Sequence, residues 1–290
     1  MKAEIIYNPA AGGGRRAAIG ATVERGLARR GLDTHLHSTE HPGDAATLAC
    51  AFAGTADIVV AVGGDGTVNE IANGLACSTT LLGIVPAGTV NVLALELGLP
   101  FRVERACDVI ARGRTRALDL GRANGRRFIL MTGIGVDALT VRYVDPRAKR
   151  RFKELAFLST GLRVGLAAAP TPFLVRANGE EHTATFAVAS NSRHYAGRLG
   201  MTSSADPTDG VLDLLMFTGR SRASLAAFWL GVPSGLHTRH PDTVFVRTER
   251  AEITPLQEED VIWFQTDGEL AGRLPAIIEV EPHALNVLVP

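Results

Sequence analysis

Ile58-Val59-Val60-Ala61-Val62-Gly63-Gly64-Asp65-Gly66-Thr67-Val68-Asn69-Glu70 is the stretch that decides the fold. It opens on a wholly apolar, mostly β-branched run, the composition of a parallel strand covered on both faces. The strand ends at Gly63, and Gly63, Gly64 and Gly66 give the backbone access to positive φ and let it approach a ligand with no Cβ in between. From about Val68, the spacing of Ile71 and Leu75 with Glu70 in the first turn predicts a helix. The N-terminal dipole and unpaired amides of such a helix attract anions. Strand, glycine loop and helix therefore converge on a phosphate site. Asp65, Thr67, Asn69 and Glu70 set the loop apart from an ordinary tight turn.

The pattern then repeats. Residues 81–85 read as a second buried strand, and Pro86-Ala87-Gly88-Thr89 turns the chain into a helix beginning near Val90. In an open parallel sheet, ligands sit outside the carboxyl ends of the strands, so both loops belong on one rim. Working outward, residues 3–7 and 34–38 read as strands, and 17–29, 45–53 and 103–111 as helices. Asp44 is the expected N-cap of the second helix, and Gly113 ends the third. Strands alternating with helices over short connections give a doubly wound α/β domain.

Past Gly113 the mode changes. Asn124-Gly125 and Asn178-Gly179 are favoured two-residue hairpin turns, joining residues 115–121 to 127–133 and 173–177 to 183–190. Further short strands follow at 244–248, 251–254, 261–266 and 277–280, with helices at about 153–168 and 221–230. The expected architecture is an α/β domain over 1–115 followed by an antiparallel β-rich, sandwich-like domain over 116–290. The last residues are expected to return to the first domain.

A length of 290 residues suits two domains. The formal net charge of zero gives no electrostatic footprint for nucleic acid. Cys50, Cys77 and Cys107 lack metal-like spacing and read as small buried hydrophobes in a reducing compartment. His35, His37 and His41 alternate along a strand without a carboxylate partner, an arrangement expected to bind no metal. The chain enters its first strand without a secretory lead, and Arg163 interrupts the longest helical apolar run. The protein is thus expected to be cytoplasmic, at most peripheral at the inner membrane surface. Arg147, Lys149, Arg150, Arg151 and Lys153 precede Leu155, Phe157 and Leu158, which suits either an anionic bilayer or a solvated helix face.

Five stretches together resemble the diacylglycerol kinase catalytic domain and its bacterial lipid kinase relatives, which include sphingosine and ceramide kinases. They are Asn8-Pro9-Ala10-Ala11-Gly12, residues 63–70, residues 83–100, residues 206–213 and Asp267-Gly268-Glu269. Gly133-Ile134-Gly135-Val136-Asp137 also resembles a family signature, and reads equally as a strand-end turn. The resemblance implies an ATP-dependent kinase acting on diacylglycerol or a related lipid alcohol, with Mg2+. It places nucleotide contacts at Asn8, Pro9, Thr39, Gly63, Gly64, Asp65, Gly66, Thr67, Asn69, Glu70, Gly88, Thr89 and Asn91.

The same resemblance makes Asp267 the general base, supported by Glu269, and assigns Asp65 to phosphate and metal or to polarising the acceptor. It implies a structural Mg2+ at the Asp209 side chain and main-chain oxygens near Asp206 and Val211. Taken by spacing alone, Asp267-Gly268 reads more readily as a hairpin turn and residues 206–211 as a plain turn. One departure stands out: Val92 follows Asn91 where many relatives carry aspartate. Two rivals follow, an NAD kinase-like enzyme sharing the Gly-Gly-Asp-Gly-Thr loop, and a catalytically weak nucleotide- or lipid-binding homologue. A homodimer is compatible with either.

Overall fold

A computed structural model describes residues 1–9, 18–88, 90–143, 160, 163, 171–195, 197 and 199–290. The chain forms two units, Met1–Asp119 with His283–Pro290, and Leu120–Pro282.

In the first unit the apolar run 58–62 is the central strand β3 (Ile58–Gly63), and every one of its side chains is buried. Beside it lie β1 (Lys2–Tyr7) and β4 (Leu81–Pro86), with β2 (Asp33–Ser38) beyond β1 and the end of β16 (Ala276–Leu288) beyond β4. All four pairings are parallel. Helices α1 (Ile19–Ala28) and α5 (Val103–Arg112) bury Val23, Leu27, Cys107 and Ile110 against Ile5, Val60 and Val62. Alternation sends Ile6, Val59 and Ala61 to the opposite face, where α2 (Asp44–Phe52) and α3 (Asp65–Leu75) pack together. The doubly wound α/β layer is therefore present.

Three local expectations need correction. Gly43 rather than Asp44 is the N-cap of α2; the Asp44 carboxylate instead accepts the amides of Glu40 and His41 in the preceding loop, which hold it below the usual carboxylate range. Only Cys107 is buried, while Cys50 and Cys77 are exposed, because Cys50 falls on the outer side of α2 and Cys77 follows the end of α3 in a left-handed conformation. His37 does have a carboxylate partner: its Nε2 lies 2.6 Å from Glu4 Oε2. Even so, among the described residues no group of three or more His, Cys, Asp or Glu assembles as a metal site.

The second unit is a sandwich. One antiparallel sheet runs β12 (Thr243–Thr248), β11 (Leu212–Phe217), β10 (Phe186–Ser190), β7 (Met131–Gly135), β14 (Trp263–Thr266), β15 (Glu269–Arg273). The other joins the first part of β16 to β13 (Arg250–Pro255), β8 (Phe173–Ala177) and β9 (Glu180–Ala184), with β5 (Thr115–Ala123) and β6 (Arg126–Phe128) alongside. Phe128, Phe173, Phe264, Leu214 and Ile253 fill the space between the sheets. Helix α6 (Val136–Tyr143) packs on β7, β10 and β14. Helix α7 (Arg222–Gly231) is capped by the Ser221 hydroxyl accepting from the Ser224 amide.

Both Asn-Gly turns form with positive φ at each residue. The strands after them are shorter than periodicity suggests. The run 127–133 is broken at Ile129-Leu130, and 183–190 at Thr185, where the chain leaves one sheet for the other. A change of sheet keeps the side chains buried, so hydropathy does not register it.

Candidate active site

In the first unit the carboxyl ends of β1, β3 and β4 are tied into one rim. The Asn8 amide donates to Val62 O, Thr39 N to Tyr7 O, and Ala87 N and Gly88 N both reach Gly63 O. Asn8 Nδ2 donates to Thr67 Oγ1 at 3.2 Å. The two glycine loops touch backbone to backbone, since a Cβ on Gly64 would sit 3.2 Å from Gly88 Cα. Asn91, in the left-handed region at φ 56°, accepts from Gly88 N and donates to Gly88 O. Asp65 Oδ1 accepts from Leu93 N at 3.3 Å, in the first turn of α4 (Val92–Glu96).

The expected positive φ is absent from these glycines. None of Gly63, Gly64 and Gly66 has positive φ, and α3 begins at Asp65 rather than near Val68. Gly63 is needed because a Cβ there would meet Thr67 Cβ at 2.5 Å, and Gly64 because of Gly88. Gly66 alone faces open space within 4 Å, in the first turn of α3, where backbone N–H groups lack intrahelical acceptors. Asn69 and Glu70 are half-buried one turn further along, and Asn69 is bonded by Asn73. Pro9 is exposed. No Lys or Arg occurs between Arg30 and Arg102, so neither glycine loop brings a side-chain cation of its own.

In the second unit Asp267 and Gly268 form the hairpin between β14 and β15, with φ of 48° and 84°. The Asp267 carboxylate accepts three backbone amides, from Ile129 at 2.7 Å, Leu130 at 2.9 Å and Met131 at 3.0 Å. It therefore clamps the crossing from β6 to β7, which Asn191 holds from its other side by donating to Ile129 O. Glu269 does not join it; its side chain is exposed and paired with Arg126.

Behind the hairpin lies a buried chain of polar groups. Gly268 N donates to Gln265 Oε1, Gln265 Nε2 to Asp137 Oδ2, and Tyr195 OH to Asp137 Oδ1. Burial pushes the Asp137 carboxyl up to about 6, against the pull of the Tyr195 and Gln265 hydrogen bonds. The Tyr195 hydroxyl is raised well above its ordinary value by the same burial and by Asp137. Gly133 is obligatory here, because a Cβ would overlap Asp137 Oδ2.

Asp206 Oδ1 accepts the amide and hydroxyl of Thr208. Asp209 Oδ1 accepts Val211 N, and its Oδ2 is paired with Arg247.

Residues 2–123 match the family model of the diacylglycerol kinase catalytic domain, and residues 131–289 that of the YegS C-terminal NAD kinase beta sandwich-like domain. The chain is 33% identical over 312 residues to the diacylglycerol kinase of Mycobacterium tuberculosis H37Rv, covering all of this chain and 95% of that one. The chain belongs to the diacylglycerol kinase family. The diacylglycerol kinase of Bacillus subtilis 168 is 30% identical over 298 residues, covering all of this chain and 96% of the relative. A crystal structure described as a candidate diacylglycerol kinase of Bacillus anthracis Sterne superposes with a TM-score of 0.85 at 26% identity, over all of this chain and 95% of that one.

Among the positions that the diacylglycerol kinase resemblance singles out, Asn8, Gly63, Gly64, Asp65, Thr67, Gly88 and Asn91 are drawn together by the bonds above. Thr89, the loop 10–14 and the basic stretch 147–153 lie outside the described residues. Tyr195 and Gln265 carry no motif signal, and only the fold brings them to Asp137. Among the described residues no helix is long and apolar enough to cross a membrane.

Proposed function

We propose that this kinase uses ATP and Mg2+ to phosphorylate the hydroxyl of diacylglycerol or a related lipid alcohol. The observation that carries the reading is the contact of two glycine loops, Gly64 against Gly88, at the ends of adjacent parallel strands. It occurs in a chain whose full-length relatives are named diacylglycerol kinases. Amides of the first turn of α3 and the second loop would hold phosphate oxygens. Because residues 31–101 carry no Lys or Arg, the counter-charge we assign to the polyphosphate at these two loops is a divalent ion, for which the Asp65 carboxylate is a hard oxygen donor. Bound Mg2+ would neutralise charge on the transferring phosphoryl group.

In the transfer, the acceptor oxygen bonds to the γ-phosphorus as the bond to the ADP oxygen breaks, and the hydroxyl proton passes to a carboxylate. We assign that carboxylate to Asp267, with Asp65 the alternative. Glu269 is assigned to holding the hairpin through Arg126. A structural Mg2+ at the turn would be held by the Asp209 side chain and main-chain oxygens near Asp206 and Val211, in competition with Arg247, whose exposed ion pair with Asp209 is weak enough to be displaced.

The test is phosphate transfer from radiolabelled ATP with Mg2+ into micelles of diacylglycerol, ceramide, sphingosine and monoacylglycerol, with NAD as a further acceptor. Label in one lipid, lost in Asp267→Asn while ATP binding persists, is the expected result. Retained turnover in that variant overturns the base assignment, and label in NAD overturns the lipid reading. One observation favours a second reading: Val92, only 7% exposed, starts α4 where a carboxylate is usual in the resemblance. ATP binding without transfer to any lipid would support a binding homologue.

A further inference from the structure

Between Asp213 and Asp242 the chain carries Arg220, Arg222 and Arg239 and no acidic residue, in a protein of zero net charge. No ionisable side chain occurs between Arg222 and His237. This is helix α7 and the 3-10 turns Val232–Ser234 and Leu236–Arg239 that follow it.

The inner side of α7 is firmly seated. Phe228 meets the Phe217 ring at 5.1 Å and Trp229 meets Phe186 at 5.4 Å, both on the outer face of the β10–β11 sheet. His237 Nε2 bonds Met201 O at 3.0 Å beneath the second turn. The outer side is apolar as well. Leu230 is 67% exposed, the highest value among the large apolar side chains described, and Leu236 is 59% exposed. Ala227, one turn before Leu230, and Pro233 are exposed as well. Arg220, Arg222 and Arg239 are also exposed, and none forms an ion pair among the described residues.

A rigid platform with leucines standing out of an arginine-rich surround, whose neighbouring carboxylate Asp242 is turned to Ser224 and His240, is the composition of an interfacial element. The apolar tips enter the headgroup and acyl boundary while the guanidinium groups meet lipid phosphates. Self-association fits less well, because a two-fold contact would set this positive patch against itself. We infer that the α7 tip, through Leu230 and Leu236 flanked by Arg220, Arg222 and Arg239, docks this kinase on an anionic bilayer. The inference rests on the lipid-acceptor reading for its purpose, while its test needs no turnover.

The experiment is co-sedimentation of the full chain, without nucleotide, with vesicles of phosphatidylcholine alone or with about a quarter phosphatidylglycerol. Two variants are compared, Leu230→Gln with Leu236→Gln, and Arg220→Gln with Arg222→Gln and Arg239→Gln. Each should lower partition onto the anionic vesicles by about tenfold or more, with unchanged thermal melting and unchanged turnover of a water-dispersed short-chain diacylglycerol. Partition equal to the parent in both variants overturns the inference. So does a parent that ignores vesicles yet forms a dimer that the leucine variant dissolves. Lost partition in the variants of a chain that phosphorylates no lipid would keep the docking surface and overturn the lipid kinase reading instead.

Discussion

Asp137 sets burial against charge more sharply than its neighbours do. Its carboxyl is fully enclosed, and burial lifts it from an ordinary 3.8 to about 6. The folded chain thus keeps a proton that the unfolded chain gives up near 3.8, so this contribution to stability is complete below that pH and is lost as pH rises through about 6. Asp137→Asn, which can still meet Tyr195 and Gln265, should flatten the stability profile across that window. Unfolding midpoints between the two pH values should shift in favour of the variant by up to about 3 kcal/mol, and parallel profiles would refute the argument. Asp267→Asn acts differently. It sets an amide against three N–H donors, and denaturant unfolding should show a loss of about 2 kcal/mol, so the kinase assay on this variant needs that measurement beside it. Asp137 and Asp267 were both legible as motif members. Their partners were not, because Tyr195 and Gln265 stand 58 and 128 residues from Asp137 in the chain.

At the scale of elements, the strand, glycine loop and helix of residues 58–75 could be read directly, since an apolar β-branched run and a glycine cluster each have a local cause. The reason for the glycines could not, because close approach of two loops depends on where β4 lies. Two substitutions separate their roles. Gly66→Ala meets nothing within 4 Å and gains helix propensity of about 0.5–1 kcal/mol. It should melt higher yet bind ATP about tenfold more weakly if the first turn of α3 holds phosphate. Gly88→Ala forces the loops apart and should lower stability by about 1–3 kcal/mol. Calorimetric titration with ATP and thermal melting of both variants check this pair, and an unchanged affinity in Gly66→Ala would move the nucleotide away from α3.

For the molecule as a whole, the change from parallel to antiparallel pairing was visible in the Asn-Gly turns, whereas the crossings at Ile129-Leu130 and Thr185 were hidden by uniform burial. The return of the last residues to the first unit has a consequence for synthesis on the ribosome. The end of β16 pairs with β4 at Val287 and Leu82, and Leu288 joins the apolar core of that unit. The edge of β4 therefore waits, unpaired, until β16 has been translated. A fragment of residues 1–119 should self-associate through that edge and elute as oligomers in size-exclusion chromatography, whereas a compact monomer would show that β16 is dispensable. The first unit thus takes its last strand from beyond the sandwich in the chain, so a nascent chain cannot finish the sheet that carries both glycine loops before its sandwich has also been made.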